Sequence, residues 1–185
     1  FMSNITVTPI KASFATQTEH PETDFSVTDR AYASSTPIVL TIAGSDSGGG
    51  AGIQADIKAI SATGGYACSV ITAITAQNTL GVSAIFPIPL EYVEKQLDAV
   101  FTDLNVVAVK VCMLSESDII KLVAAKIRQY RPTFLVVDPV MVASSGDVLL
   151  DVSAVTTLKT ELLPLADIIT PNLSEGAALT GSDIP

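Results

Sequence analysis

From Pro37 onward, short apolar runs of strand length alternate with segments whose apolar residues recur at helical spacing. A strand, a helix and a further strand in this order form a right-handed crossover, in which the two strands lie parallel. Repetition of that unit predicts an α/β fold, with a mostly parallel sheet and helices on both faces. We expect strands at residues 38–43, 68–74, 82–88, 106–111, 133–137 and 167–170, and helices at 51–63, 89–104, 115–127, 151–163 and after 170.

The composition indicates a globular protein with an aliphatic core. Apolar residues make up 48% of the chain, whereas aromatic residues are only 5% and tryptophan is absent. The net charge of −9 argues against a nucleic-acid partner, because the phosphate backbone attracts clustered Lys and Arg. No apolar run reaches the ~20 residues that a membrane span needs. We therefore expect a cytoplasmic protein without a membrane partner, in which Cys68 and Cys112 are buried free thiols.

A change in composition predicts the domain boundary. Residues 1–36 are rich in Ser and Thr and lack a sustained apolar period, so we expect a mostly disordered arm. Residues 37–185 carry the whole strand and helix alternation, and we expect them to form one domain. The recorded start, Phe1 before Met2, is interpreted as artificial.

The strongest local feature is "TIAGSDSGGGAGIQAD" at residues 41–56, which begins in the last residues of the first predicted strand and extends into the first helix. Ligands of open parallel sheets bind at the carboxyl ends of the strands, where this stretch lies. A phosphate-binding P-loop requires Lys where this chain has Gly50. A dinucleotide-binding turn requires an acidic residue ~20 positions later, and residues 70–80 contain none. Both nucleotide interpretations are therefore disfavoured.

Five segments occur in a fixed order: "TIAGSDSGGGAGIQAD", "ITAITAQNTLGV", "VKVCML", "VVDPVMVASSGDVLL" and "IITPNLSEGAALTG". In their order and spacing they resemble the hydroxymethylpyrimidine/phosphomethylpyrimidine kinases of thiamine biosynthesis, which have a ribokinase-like fold. The resemblance covers residues 38–181. It implies an enzyme that uses ATP and Mg²⁺ to phosphorylate hydroxymethylpyrimidine and then its monophosphate.

The resemblance implies that the glycine-rich turn holds the phosphoryl acceptor and not the nucleotide. Asp56 would accept hydrogen bonds from the amino group of the pyrimidine, and Gln77 would contact another polar edge of the ring. A flat aminopyrimidine needs such groups at its rim and apolar walls at its faces. Asp56 has a second interpretation, as an acid that merely stabilises the helix N-terminus. The implied acceptor-binding residues are Gly44, Ala51, Asp56, Gln77, Met113 and Val140.

A second group is implied to serve the nucleotide and the metal. Asp138, at the end of the strand "TFLVV", would lie near Mg²⁺ and the triphosphate. Asn172 and Glu175 match the N-x-x-E motif of the family, in which Asn172 would contact the nucleotide and Glu175 would help to hold hydrated Mg²⁺. The same pair predicts a helix N-cap, and the two roles are compatible. Lys110 could face the phosphates of the substrate or of ATP, but it is interpreted as leaning its stem on the sheet and is left outside the active site. Cys112 stands where the family more commonly has glycine; it is interpreted as a buried small side chain, and the alternative is that it narrows the acceptor pocket or adapts it to a different ring.

The catalytic residues are expected C-terminal to Pro185. In this family a second glycine-rich turn supplies the base and the anion hole, and no such turn is found after Leu179. No residue of this chain is therefore assigned a catalytic role. We expect the N-terminal part of a kinase domain, incomplete at the C-terminus and inactive by itself.

Two alternative functions stay open. One is a pyridoxal or pyridoxine kinase of the same superfamily, and the other is a truncated relative that binds the pyrimidine without catalysis. A homodimer is a further expectation. At the local level, Ser115 is the predicted N-cap of the third helix.

Overall fold

The structure is a computed structural model that describes residues 36–141 and 152–182. The predicted arm up to residue 35, the segment 142–151 and the last three residues lie outside the described residues. The described elements are β1 (Ile38–Asp46), α1 (Gly52–Ala62), β2 (Tyr66–Asn78), β3 (Gly81–Pro87), α2 (Leu90–Asp103), β4 (Val106–Cys112), α3 (Ser117–Tyr130), β5 (Phe134–Asp138), α4 (Val152–Thr157), a π-helical turn (Leu158–Leu162), a 3₁₀ turn (Leu163–Leu165), β6 (Ile168–Ile169) and α5 (Leu173–Thr180).

Two expectations fall outside these residues. The disordered arm at residues 1–36 lies almost wholly there. Pro185, beyond which the catalytic turn is expected, lies there as well, and the described chain reaches only residue 182. Both expectations therefore stay predictions.

The described strands form one sheet in the order β3-β2-β1-β4-β5-β6. All neighbouring pairs are parallel except β2 and β3, which form an antiparallel pair. Ile42 at the centre of β1 lies opposite Val70 of β2 and Val111 of β4. The chain leaves β1 in one direction to form β2 and later continues from β4 in the other direction. The carboxyl ends of β1 and β4 are therefore the topological switch point of the sheet.

Helices cover both faces of the sheet, as the sequence predicts. Leu40 and Ile42 of β1 are buried in a large apolar cluster with residues of α2, α3 and the π-helical turn. Ala43 belongs to a smaller cluster with Ile53 of α1. Because successive residues of a strand point to opposite faces, α1 covers one face, and α2 and α3 cover the other. Among the described residues, no helix combines the length and apolar character required to cross a membrane.

Three local predictions are wrong in detail. Ser115 does not cap α3, because the chain stays extended through Glu116 and the helix begins at Ser117 without a side-chain cap. The helix predicted at 151–163 is divided, since α4 ends at Thr157 and leads through the π-helical turn into the 3₁₀ turn with Pro164. The proline ring cannot continue an α-helix, which explains why regular helix does not extend past Leu163. β2 extends past residue 74 because its far half pairs with β3.

A polar cluster joins α2 to α3 on the large-core face. Lys126 is buried, and its ammonium donates to both carboxylate oxygens of Asp98 at 2.7 and 2.8 Å. The Tyr130 hydroxyl donates to the same carboxylate at 2.8 Å, and its ring stacks on Phe101 with centroids 4.6 Å apart. The Lys126 ammonium also lies 2.9 Å from a carboxylate oxygen of Glu94. These contacts fix the two helices side by side.

Candidate functional site

A cavity of about 480 Å³ lies at the topological switch point. Its walls are the end of β1, the first turns of α1, the turn between β2 and β3, and the ends of β4 and β5, together with the glycine-rich loop, here residues 47–51. Asn172 and Glu175 do not line it. The sequence-predicted residues that line it are Gly44, Ala51, Asp56, Gln77, Met113, Val140 and Asp138, and Lys110 and Cys112 line it as well.

The glycine-rich loop is folded around the carboxylate of Asp46, which ends β1. The backbone N–H groups of Gly48, Gly50 and Ala51 donate to this carboxylate at 2.7, 2.8 and 2.8 Å. Gly49 N–H donates to the Asp46 carbonyl at 3.0 Å. Burial opposes ionisation of Asp46, but the backbone hydrogen bonds outweigh it and lower its pKa. The four loop N–H groups are thus engaged within the loop, which disfavours a phosphate site built from them.

Glycine favours close packing at two positions, one in β1 and one at the start of α1. Gly52 has φ +55°, and a Cβ there would collide with the Gly44 carbonyl oxygen. A Cβ on Gly44 would collide with the end of the Met113 side chain. Met113 itself has φ +43°, which is uncommon outside glycine and tends to occur at functional sites. Gly44 therefore leaves room for Met113 to form an apolar wall of the cavity, and Gly52 lets the start of α1 approach the end of β1.

Asp56 faces the sheet from α1 and is buried. One of its carboxylate oxygens accepts the Thr41 hydroxyl at 2.6 Å, and the other accepts the Lys110 ammonium at 2.6 Å. Asp56 lies beyond the first turn of α1, which contains no acidic residue. The interpretation of Asp56 as an acid that only stabilises the helix N-terminus is therefore wrong. Its carboxylate is instead a fixed polar group at the cavity wall.

Lys110 is a charged residue of the cavity that sequence reasoning left outside the site. Its ammonium contacts Asp56 and lies 4.0 Å from a carboxylate oxygen of Asp138. Burial alone would lower the pKa of Lys110, but the hydrogen bond to Asp56 and the nearby acidic groups outweigh it and raise that pKa. The available signal was a single charge inside the apolar strand "VVAVKV", since such charges in a buried strand are paired.

Cys112 ends β4 and is buried beside Asp138, with its Sγ 3.8 Å from a carboxylate oxygen. Burial raises the pKa of the Cys112 thiol to about 12, so the side chain is neutral at physiological pH. It packs with Ala43 and Ile53, which agrees with the interpretation as a small buried side chain. It also lines the cavity, however, so it contributes to the shape of the site.

Asn172 and Glu175 form the predicted cap of α5. The Asn172 side chain accepts the Glu175 N–H at 2.9 Å, and the Glu175 carboxylate accepts the Asn172 N–H at 2.9 Å. The second Glu175 oxygen accepts the N–H of Met141 at 3.4 Å, which ties α5 to the chain beyond β5. Glu175 is buried, and each of its oxygens has a partner. The helix-cap prediction is confirmed, whereas the metal role of Glu175 stays a prediction.

The donor set is compatible with Mg²⁺ at Asp138. Within residues 36–141 and 152–182, no group of three or more His, Cys, Asp or Glu side chains could hold a metal ion. Mg²⁺ needs no such group, because it keeps several waters and takes one or two carboxylates. The Asp138 side chain lines the cavity and retains 29% of its surface exposed. A hydrated ion therefore fits this carboxylate better than a fully protein-bound one.

A family model and curated relatives match most of the chain. The model described as phosphomethylpyrimidine kinase matches residues 46–185. The hydroxymethylpyrimidine/phosphomethylpyrimidine kinase of Rhizobium meliloti (strain 1021) is 58% identical over 149 residues, which are 80% of this chain and 56% of that protein. The chain spans about half the length of the curated hydroxymethylpyrimidine/phosphomethylpyrimidine kinases that it matches, and 30% of the thiamine biosynthesis bifunctional protein ThiED of Geobacter sulfurreducens.

Two solved structures share the fold. Phosphomethylpyrimidine kinase from Clostridium difficile 630 aligns with a TM-score of 0.76 and 51% identity, over 80% of this chain and 64% of that chain. Pyridoxal kinase from Bacillus subtilis, in an ADP complex, aligns with a TM-score of 0.73 and 38% identity, over 82% of this chain and 57% of that one. The similarity thus extends to a phosphomethylpyrimidine kinase and to a pyridoxal kinase.

Proposed function

The chain belongs to the phosphomethylpyrimidine kinase family, and from this membership we propose that the protein containing it phosphorylates hydroxymethylpyrimidine and then its monophosphate. ATP is the proposed phosphoryl donor, and thiamine biosynthesis is the proposed pathway. The names of the curated relatives support this proposal. The greater identity to a phosphomethylpyrimidine kinase structure than to a pyridoxal kinase structure supports the choice of ring.

The single observation that carries the proposal is the cavity at the switch point. Ligand sites of this kind combine apolar walls with a few polar groups that fix the orientation. Here Met113 and Val140 offer apolar walls, and Asp56 and Gln77 offer polar groups. Gly44 and Ala51 let the backbone approach the ring closely. We assign these six residues to the acceptor, since an aminopyrimidine presents flat apolar faces and a polar rim.

We assign the nucleotide and the metal to the ends of β5 and β6. Asp138 would hold hydrated Mg²⁺, with Glu175 acting through water because its oxygens already accept two backbone N–H groups. Asn172, which precedes the first turn of α5, would contact the nucleotide. When bound, Mg²⁺ neutralises charge on the phosphates during phosphoryl transfer. The residues of this chain would orient the acceptor hydroxyl toward that side of the cavity, which is a contribution of positioning.

The base that takes the hydroxyl proton belongs to the same proposal. We assign it, together with the anion hole for the transferred phosphoryl group, to a glycine-rich turn C-terminal to Pro185. Backbone N–H groups at such a turn stabilise the charge that develops during transfer. The residues of this chain are accordingly given binding and positioning roles only.

The test is a kinase assay of the natural gene product that contains this chain, which compares its activity on different ring substrates. We expect ATP-dependent phosphorylation of hydroxymethylpyrimidine with a higher kcat/KM than for pyridoxine. Replacement of Asp56 by Asn should lower kcat/KM for hydroxymethylpyrimidine by about 10- to 100-fold, since a hydrogen bond to a charged group is lost. Asp118→Asn is the matched control, because Asp118 is an exposed residue paired with Lys121 on the surface of α3.

Either alternative function has its own result in this assay. A clear preference for pyridoxine would assign the protein to the pyridoxal kinases, to which the Bacillus subtilis similarity points. Tight binding of hydroxymethylpyrimidine without ATP consumption would indicate a protein that only binds the pyrimidine. Equal activity of wild type and Asp56→Asn would contradict the role of Asp56 in the acceptor site.

We further propose a cytoplasmic homodimer. Within the described part of the chain, β3 is an edge strand, and its side chains Ile85 and Phe86 are exposed together with Leu80 of the preceding turn, which is 90% exposed. Leu80 and Ile85 also line the cavity, so a second copy on this edge would shield the acceptor site from water. A sedimentation equilibrium mass equal to one protomer at micromolar concentration would contradict the dimer.

A further inference from the structure

We propose that Lys110 is a positioning residue for the acceptor, which holds the Asp56 carboxylate in the orientation that receives the amino group of the ring. This inference rests on the proposed function and adds a residue that sequence reasoning placed outside the site. It also predicts which chemical group of the acceptor depends on Lys110. That group is the ring amino group, and the rest of the ring is recognised by other residues.

The geometry around Asp56 carries the inference. Its two oxygens are held separately, one by the Thr41 hydroxyl and one by the Lys110 ammonium, each at 2.6 Å. Two donors on opposite oxygens fix the plane of a carboxylate, which would otherwise rotate freely. A carboxylate has about four lone-pair positions, so roughly two remain for a ligand in the cavity. Thr41 is fully buried on β1 and Lys110 lies on the adjacent β4, so both donors come from the rigid centre of the sheet.

Burial makes the pairing necessary. Asp56 is 8% exposed, and a buried charge without a partner is costly. If Lys110 is lost, the carboxylate keeps only the Thr41 hydroxyl, and the unpaired oxygen has to find another donor. The removal of one member of a buried pair is therefore more disruptive for the remaining group than the absence of both. The orientation of Asp56 toward a ligand is then no longer defined.

The Lys110–Asp56 pair differs in its location from a purely structural ion pair such as Lys126–Asp98. Lys126 and Asp98 join two helices and do not line the cavity. Lys110, Asp56 and Asp138 all line it, and the Lys110 side chain keeps 31% of its surface exposed. Its ammonium lies 4.0 Å from Asp138, between the proposed ring site and the proposed metal site. A lysine in this place acts on the ligand through its neighbours.

The test measures binding of two pyrimidines by NMR line-shape titration, without nucleotide, up to millimolar concentration. One is hydroxymethylpyrimidine, and the other is the analogue in which hydrogen replaces the amino group. Lys110→Met should weaken binding of hydroxymethylpyrimidine by about 10-fold or more, the loss expected for a charge-assisted contact. Binding of the analogue should change by less than about two-fold, because it makes no bond to Asp56. Thr41→Val, which removes the other donor, should give the same selective loss.

Lys121→Met is the control, since Lys121 is exposed on α3 and pairs only with Asp118 in the contacts described. Equal weakening of both pyrimidines by Lys110→Met and Thr41→Val would overturn the proposal, because it would indicate a general disturbance of the site. Unchanged affinity of Lys110→Met for hydroxymethylpyrimidine would overturn it as well. Failure of the wild-type protein to bind hydroxymethylpyrimidine at all would instead contradict the proposed function itself.

Discussion

At the scale of single residues, three carboxylates around one cavity differ in what holds them. Asp46 is held by backbone N–H groups, and Asp56 is held by a hydroxyl and an ammonium. Asp138 contacts a neutral thiol and lies at a longer distance from Lys110. The three therefore have separate tasks. Asp46 shapes the loop, Asp56 faces the proposed ring, and Asp138 remains the most available for a cation.

Replacement of Asp46 by Asn tests its role in shaping the loop. At pH 7 the variant should lose about 1–3 kcal/mol in the free energy of unfolding, because backbone N–H groups lose a charged acceptor. The folded-state pKa of Asp46 lies below its ordinary value of 3.8. The stabilisation is therefore fully present above pH 3.8 and is lost as the pH falls through the lowered pKa.

Urea denaturation of wild type and Asp46→Asn across this pH range provides the measurement. The exposed Asp118→Asn variant is the control, for which little change is expected. A difference between wild type and Asp46→Asn that stays constant down to pH 2 would contradict this role of Asp46.

At the scale of elements, the strands were more predictable than their surroundings. Apolar runs such as "IVLTIA" are buried on both faces of a parallel sheet, so their hydrophobicity alone locates them. The antiparallel extension of β2 was missed, because polar residues such as Gln77 and Asn78 interrupt the apolar pattern there. The division of the helix after α4 depends on tertiary packing around Leu158 and Leu162, which local periodicity does not report.

In the candidate site, residues of one continuous motif could be predicted from the sequence, whereas contacts between distant residues could not. Gly44 and Ala51 belong to one continuous motif, so the sequence alone drew attention to them. Lys110 is separated from Asp56 by 54 positions, and the two meet because β4 pairs with β1 and α1 packs on β1. A lone lysine in an apolar strand indicates a partner but does not identify it. The role of Lys110 therefore could not be predicted from residue pattern.

The cluster between α2 and α3 gives a prediction at this scale. Lys126→Met should lower the free energy of unfolding by about 1–3 kcal/mol, less than for a fully buried pair because Asp98 and Glu94 are partly exposed. The hydrogen bond to Asp98 raises the pKa of Lys126 above 10.5 against the opposing effect of burial. The stabilisation is thus complete below pH 10.5 and is lost as the pH rises through the raised pKa.

Thermal unfolding at pH 8 compares Lys126→Met with Lys121→Met, which removes an exposed lysine from the same helix. Equal melting temperatures for the two variants would show that the cluster does not stabilise the contact between α2 and α3.

At the scale of the whole molecule, the order of the strands determines where a ligand can bind. The crossovers diverge between β1 and β4, and a cavity opens at their carboxyl ends. Dinucleotide-binding folds place phosphate on glycine-rich N–H groups at such a point. In this chain the side chain of Asp46 engages those N–H groups. We therefore assign the loop to the acceptor and the nucleotide to the ends of β5 and β6.

The most direct test of this central claim is a two-dimensional amide NMR titration of the protein with each ligand separately. Hydroxymethylpyrimidine should shift the amide signals of Gly44, Ala51 and Gln77. A non-hydrolysable ATP analogue with Mg²⁺ should shift signals near Asp138 and Asn172 and leave the glycine-rich loop unchanged. The opposite pattern, with loop signals that respond to the nucleotide and not to the pyrimidine, would contradict the assignment of the loop to the acceptor.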